Sequence, residues 1–202
     1  DSPPTEPKAL RAGLIGFGVV GAGTHAVLRS NSDLIRARAG CAIEIRAVAT
    51  RTQSRAHAVA DDRVALLQDP LQLARHPDLD VVIEAMGGTT DARCAVLEAI
   101  AHGKHVVTAN KALLAVHGEE IFAAARARGV SVGFEAAVAV SIPIVKALRE
   151  GLVANRIEWL AGIVNGTSNY VLTRMGAAGC SFSQALAEAQ ALGYAEADPA
   201  LD

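Results

Sequence analysis

The chain has 202 residues, 51% of them hydrophobic and 20% charged, a composition that supports a sizeable core rather than a disordered chain. At the usual ~100–200 residues per domain, this length fits one large domain or one domain with part of a second. A net charge of -2 lacks the basic excess that nucleic acid or an acidic membrane surface calls for. Cys41, Cys94 and Cys180, far apart and without a CxxC pair, predict neither a disulfide framework nor a zinc site and fit a reducing cytoplasm.

Residues 1–10, DSPPTEPKAL, read as a tail ahead of a first domain expected over 11–137. From Arg11 onward, short apolar runs alternate with helix-like segments, the pattern that βαβ units impose when a parallel sheet is covered on both faces. The predicted strands are residues 12–15, Ile43–Ala49, Val81–Glu84, His105–Thr108 and residues 130–134. The segments between them are rich in alanine, leucine and arginine, and Gly129 stands where the helix over 121–128 should end. Right-handed crossovers then make a Rossmann-type, doubly wound α/β sheet the natural topology.

After Glu135 the character changes. AAVAVSIPIVKALREGL reads as a crossover and helix, NRIEWLAGIVNG as a strand, and SFSQALAEAQALG as a helix. Residues 138–202 are therefore expected to be the first part of a second, α+β domain, with too few strands to close a sheet. The apolar stretch 136–145 contains Pro143 and is far shorter than the ~20 residues of a membrane-spanning helix. No cationic start precedes an apolar run in the manner of a signal peptide.

Directly after the first predicted strand comes Gly16-Phe17-Gly18-Val19-Val20-Gly21, the GxGxxG spacing of a dinucleotide loop. Gly16 would permit the tight turn, Gly18 would let backbone approach a pyrophosphate, and Gly21 would let the following helix pack close to the strand. The helix N-terminus would supply N–H groups and partial positive charge to the phosphates. A merely glycine-rich turn is the alternative, and the strand–turn–helix context argues against it.

The second strand ends Ala47-Val48-Ala49-Thr50-Arg51, without the acid that would bind the ribose 2′-hydroxyl of NAD. Arg51, unless it is simply a solvated surface arginine, would face a 2′-phosphate, so NADP(H) is favoured over NAD(H). Ala85-Met86-Gly87-Gly88-Thr89-Thr90 follows the strand Val81–Glu84, and its glycines would let backbone pass beneath the nicotinamide ribose if it is more than an ordinary loop. Asn110-Lys111 opens a helix at the rim of the same crevice. Asn110 suits an N-cap, whereas a lysine there is unfavourable by ~0.3–1 kcal/mol, so it is either accidental or placed for binding.

GLIGFGVVGAG, VVIEAMGG, GKHVVTANKALLA, FEAAVAVSIPIVKAL, IVNGTSNYVLTRM and ALGYAEADPALD, in that order, resemble the amino-terminal half of homoserine dehydrogenase. The resemblance covers nearly all of residues 11–202. It implies NAD(P)-dependent interconversion of L-homoserine and L-aspartate 4-semialdehyde, on the route to threonine, methionine and isoleucine, by a cytoplasmic homodimer. Residues 138–202 would then begin the substrate and dimerisation domain. Lys111 would hold the reacting oxygen or the carboxylate of the substrate, and Glu196 would pair with its ammonium group. Gly166 and Thr167 would offer donors at a strand-to-helix turn, where Thr167 could equally be the N-cap. Tyr194 and Asp198 are supporting candidates that could equally do no more than shape the turn before Pro199.

The resemblance further implies a monovalent cation held by Glu135, Val138, Val140 and Ile142. The family commonly has glycines where Val140 and Ser141 stand, and valine adopts positive φ poorly. It also places an aspartate and a proton-transferring lysine in a DxxGxDAAxK-like stretch after the ADPxxD block. That block ends here at Asp202, so the resemblance implies that the acid/base lysine belongs to a continuation beyond Asp202. The alternative function is an NADP(H)-binding module without turnover.

Overall fold

The structure is a computed structural model and describes residues 8–57, 63–139, 142–162 and 165–195. The chain divides between Lys146 and Ala147 into two units.

In the first unit, the strands are β1 (Leu10–Ile15), β2 (Ile43–Ala49), β3 (Ala65–Leu67), β4 (Val81–Glu84), β5 (His105–Thr108) and β6 (Val132–Gly133). They form one sheet in the order β3-β2-β1-β4-β5-β6, and every pair is parallel. Helices α1 (Val19–Ser30) and α2 (Ser32–Ala39) connect β1 to β2, and α3 (Gln53–His57) follows β2. Beyond β3 come α4 (Pro70–Ala74), α5 (Thr90–Ala101) and α6 (Lys111–Arg128) in the later crossovers. The strand order reverses between β1 and β4, which opens a crevice at their carboxyl ends, where α/β sheets of this kind bind ligands.

Leu14, Ile15, Val48, Val82 and Val106 are buried from the strands. Ala92, Ala95, Val96, Ala99 and Ile100 of α5, with Leu113 and Ile121 of α6, join Ile15, Val82 and Val106 in one cluster, and Leu14 and Val48 join Phe17 and Ala56 in another. The many alanines bring α5 close to the sheet, so the core is narrow and filled by small side chains.

Sequence reading and structure differ at the edges. Leu10 belongs to β1 rather than to the tail: it pairs with Ile43, and its N–H donates to the Ala42 carbonyl at 2.8 Å. The strand expected over 130–134 shortens to Val132–Gly133, because its pairing with β5 stops there. The edge strand β3 was not expected, since Ala65-Leu66-Leu67 carries no β-branched residue or alternation. Gly129 ends α6 as predicted. The cysteines of the structure are free thiols.

Arg11 and Asp80 fix where β1 and β4 begin. The Arg11 guanidinium donates to both oxygens of Asp80, at 2.7 and 3.0 Å, and the Arg11 backbone N–H adds a bond of 2.9 Å. Hydrogen bonding to Arg11 pushes the Asp80 carboxyl from its ordinary 3.8 down to about 2. A depressed carboxyl stabilises the fold above its unfolded value and loses that contribution as pH falls towards the folded value. In Asp80→Asn, the deficit in melting temperature relative to the parent should be full above pH 3.8 and close by about pH 2. A deficit independent of pH would show that the pair contributes only through packing.

First in the chain after that unit's last helix, α7 (Ile144–Lys146), is a π-helical turn, Ala147–Gly151. The second unit contains this turn and a hairpin of α8 (Gly166–Ala178) and α9 (Phe182–Ala191). Val171, Ala185 and Ala189 form its small core, and Ser181 and Gln184 make a reciprocal capping box at the start of α9. The segment NRIEWLAGIVNG, expected as a strand, has no regular structure over its residues 155–162, and its last residue, Gly166, opens α8. A strand needs a neighbouring backbone to pair with, and the described residues of this unit offer none. Trp159 and Leu160 are accordingly 79% and 69% exposed.

Candidate dinucleotide site

The glycine loop joins β1 to α1. Gly16 has φ +93°, and a Cβ built there would lie 2.6 Å from the Ala85 carbonyl oxygen, so only glycine fits between the ends of β1 and β4. A Cβ at Gly21 would collide with the carbonyl oxygen of Gly16. These two glycines are required by the protein itself. Gly18 is different: it is exposed, and a Cβ there would meet nothing within 4 Å. It occupies the N-cap of α1, where no side chain caps the first turn. Space over Gly18 and an uncapped helix N-terminus together fit a phosphate group.

Val19 and Val20 are exposed beside this position at 89% and 54%. Phe17 is buried in the core against Leu14 and Val48, with its ring edge-on to His25 at 5.9 Å. Its backbone, rather than its ring, is therefore the part turned to the cleft.

A cleft of about 270 Å³ runs from this loop past the end of β2, lined by Gly16, Gly18, Arg51, Gln68, Met86 and Asp91 among others. Arg51 is exposed in a turn that the Thr50 hydroxyl braces by accepting the Thr52 N–H at 3.2 Å. Gln68 and Pro70 escaped sequence reading because β3, which delivers them, gave no signal. A larger cleft of about 430 Å³, lined by Arg29, Glu44, Arg46 and Arg63, sits at the amino end of β2. The smaller cleft is the candidate site, because the crevice at the switch point opens at the carboxyl ends.

Across the crevice, Gly87 and Gly88 turn the loop after β4, with φ of +75° and +72°. Thr89 precedes α5 without a side-chain capping bond. Asn110 caps α6, its Oδ1 accepting the Leu113 N–H at 3.0 Å, so Lys111 is the first residue of that helix and is exposed. Sequence reading missed Glu84, the acid that closes the apolar run VVIE just before this loop. It is completely buried.

The Glu135 carboxylate, expected to bind a cation, accepts the N–H groups of Val145 and Lys146 at 3.1 and 3.0 Å. The Ile142 carbonyl accepts the Ile144 N–H at 2.8 Å, and the Val138 N–H reaches back to the Glu135 carbonyl at 3.4 Å. Val140 and Ser141 lie outside the described residues. The Glu135 carboxylate and the Ile142 carbonyl are thus engaged by local backbone N–H groups, and among the described residues there is no group of three acidic, histidine or cysteine side chains placed to hold a metal ion.

In the second unit, Asn165 is the N-cap of α8 and accepts the Ser168 N–H at 2.6 Å, with Gly166 first in the helix. Thr167 is not the cap. Its hydroxyl donates to the Tyr194 carbonyl at 2.7 Å and ties α8 to the chain beyond α9. The Tyr194 ring lies 5.0 Å from that of Tyr170 and is 59% exposed. Glu196, Asp198 and Asp202, the acids of the block expected to lead into the proton-transferring stretch, lie outside the described residues. No helix among the described residues is long and apolar enough to cross a membrane.

Residues 16–135 match the model described as the homoserine dehydrogenase NAD binding domain, and residues 143–202 match the model described as homoserine dehydrogenase. The chain is 54% identical over 196 residues to the homoserine dehydrogenase of Pseudomonas aeruginosa, covering 96% of this chain and 44% of that protein. The Bacillus subtilis homoserine dehydrogenase is 40% identical over 195 residues, covering 96% and 45%. The crystal structure of a homoserine dehydrogenase from Thiobacillus denitrificans superposes with a TM-score of 0.89 at 55% identity, over 96% of this chain and 45% of that one. A hyperthermophilic archaeal homoserine dehydrogenase in complex with NADPH shares the fold, with a TM-score of 0.81 at 22% identity over 96% and 65%. The chain thus spans less than half the length of the two curated relatives, and the family match runs through Asp202 itself. Matched by the NAD-binding model through a loop that leaves room for a phosphate over Gly18, the chain belongs to the homoserine dehydrogenase family.

Proposed function

We propose that the chain supplies the dinucleotide site and part of the substrate site of an NADP(H)-dependent oxidoreductase that interconverts L-homoserine and L-aspartate 4-semialdehyde. The observation that carries this reading is the open position over Gly18 at the uncapped start of α1, within a segment matched by the family's NAD-binding model.

When bound, the nicotinamide accepts or gives up the hydride exchanged with the alcohol carbon of the substrate, and the hydroxyl proton leaves separately. The protein's share is to bind, orient and handle that proton. The uncapped N–H groups of α1 would hold the pyrophosphate. Arg51, exposed beyond the end of β2 and without an acid in its turn, would hold the 2′-phosphate through charge-assisted hydrogen bonds. Lys111 brings a cation to the rim on the nicotinamide side, suited to the reacting oxygen or the substrate carboxylate. In the family pattern the partner of the substrate ammonium is Glu196.

Titration with NADPH tests the reading, and the absence of binding by the folded chain would remove it. Arg51→Asp then tests selectivity. A charge-assisted contact of ~1.5–3 kcal/mol corresponds to roughly tenfold to a hundredfold in affinity, so NADPH should weaken by that factor while NADH changes little. Equal losses for both cofactors would make Arg51 a bystander.

A further inference from the structure

Glu84 is a carboxylic side chain with no accessible surface, at the carboxyl end of β4, in a crevice where none of the roles above uses it. Its Oε1 accepts the backbone N–H groups of Met86 at 2.9 Å and Gly87 at 3.2 Å, and its Oε2 accepts the Thr108 hydroxyl at 2.6 Å. The chain of bonds continues. Thr108 Oγ1 accepts the Asn110 N–H at 3.0 Å, and Asn110 Nδ2 donates to the Gly88 carbonyl at 2.7 Å. The loop at 86–88 is thereby held from β4 through Glu84 and from the start of α6 through Asn110.

An acid suits this place because it offers two acceptor oxygens and needs no donated bond in return. Gly87 and Gly88, in consecutive left-handed conformations, turn the backbone away from the sheet and leave its N–H groups without ladder partners. Glu84 satisfies two of them. It does so on the β4 side of the switch point, opposite the β2 side where Arg51 stands.

From this circuit we infer that Glu84 is a positioning residue. By locking the 86–88 backbone to the start of α6, it fixes the surface on which the nicotinamide half of the dinucleotide rests and the spacing from there to the Lys111 backbone. The inference rests on the dinucleotide reading above and concerns only one half of the ligand.

The test compares the full chain with Glu84→Gln, Glu84→Ala and Thr108→Val, each titrated with NADPH and with adenosine 2′,5′-bisphosphate, which carries the adenine half alone. Amide exchange at Met86 and Gly87 is followed in parallel. Glu84→Ala leaves three donors without their acceptor and should cost roughly tenfold or more in NADPH affinity, with the bisphosphate unchanged and both amides exchanging faster. Glutamine keeps the Oε1 acceptor, so Glu84→Gln should restore slow exchange and most of the NADPH affinity. Thr108→Val keeps the volume but removes the hydroxyl, cutting both its bond to Glu84 and its acceptance of the Asn110 N–H, while the Met86 and Gly87 bonds to Glu84 stay in place. It should weaken NADPH selectively, and it carries the test if the alanine variant fails to fold.

Parallel losses for both probes would mean general damage to the crevice and would overturn the role. Unchanged NADPH affinity in Thr108→Val and Glu84→Ala would overturn it as well. If the parent chain binds neither probe, the dinucleotide reading falls and the positioning role with it. Amide exchange still reports, without any ligand, whether Glu84 anchors the loop, so the two failures remain distinct.

Discussion

Gly18→Val should abolish dinucleotide binding while leaving the fold and its melting temperature nearly unchanged. The backbone at Gly18 is extended, with φ -78° and ψ -158°, outside the left-handed region that favours glycine, and a Cβ there meets no protein atom within 4 Å. The added side chain therefore costs the apo protein little. It fills the space through which backbone N–H groups of α1 would reach the pyrophosphate. Each charge-assisted hydrogen bond lost is worth ~1.5–3 kcal/mol, so a hundredfold loss, about 2.8 kcal/mol, is a lower bound. Gly21→Val is the contrasting control. There the side chain would press on the Gly16 carbonyl, so both melting temperature and binding should fall. Calorimetry beside thermal unfolding separates the two, and unchanged affinity in Gly18→Val would detach the glycine loop from function.

Much of this arrangement was legible because glycine spacing and strand periodicity are local signals. Ile43–Ala49, Val81–Glu84 and His105–Thr108 are short segments rich in valine, isoleucine and alanine, and they stand where the sequence pattern puts them. The loop Gly16–Gly21 follows from the same logic, since two of its glycines answer to steric contacts within a strand–turn–helix unit. Less legible were features made by distant partners. β3 is a strand only because β2 lies beside it, and Ala65-Leu66-Leu67 carries no sign of that. Thr167 looked like a cap from its place after Asn165-Gly166. Its hydroxyl instead serves a carbonyl 27 residues later, a contact no window of sequence displays.

Glu84 shows the same limit from the other side. A glutamate at the end of VVIE reads as the polar border of a strand, yet it is buried and joined to Thr108, 24 residues away on the next strand. A buried acid is costly unless hydrogen-bonded, so a strand-end acid directly before two glycines carries some signal. The pairing itself needs the sheet register, in which Glu84 stands opposite Thr108. The site is thus built in two layers: a loop set by local steric demands, and a supporting circuit set by the parallel alignment of β4 and β5.

A polypeptide of residues 1–202 alone should bind NADPH yet show homoserine dehydrogenase turnover near background. The groups assigned to binding, from Gly16 to Lys111, lie within the first unit. Catalysis asks for more. The family pattern places its proton-transferring lysine in a stretch that matches no residue up to Asp202, and loss of such general acid–base help typically costs ~10²–10⁴-fold in rate. The segment around Trp159 and Leu160, expected as a strand ahead of the substrate groups that follow it, runs exposed and without a paired neighbour among the described residues of its unit, so those groups lack the support of a sheet there. Misplacement by about 1 Å can remove a further ~100-fold, which brings the combined deficit to ~10⁴–10⁶. Supplying the remaining carboxyl-terminal part of the 54%-identical Pseudomonas aeruginosa relative as a continuation of the chain should restore NADPH oxidation with aspartate semialdehyde. Robust turnover by a preparation whose intact mass confirms residues 1–202 alone would defeat this, and would make Lys111 the leading group for proton transfer.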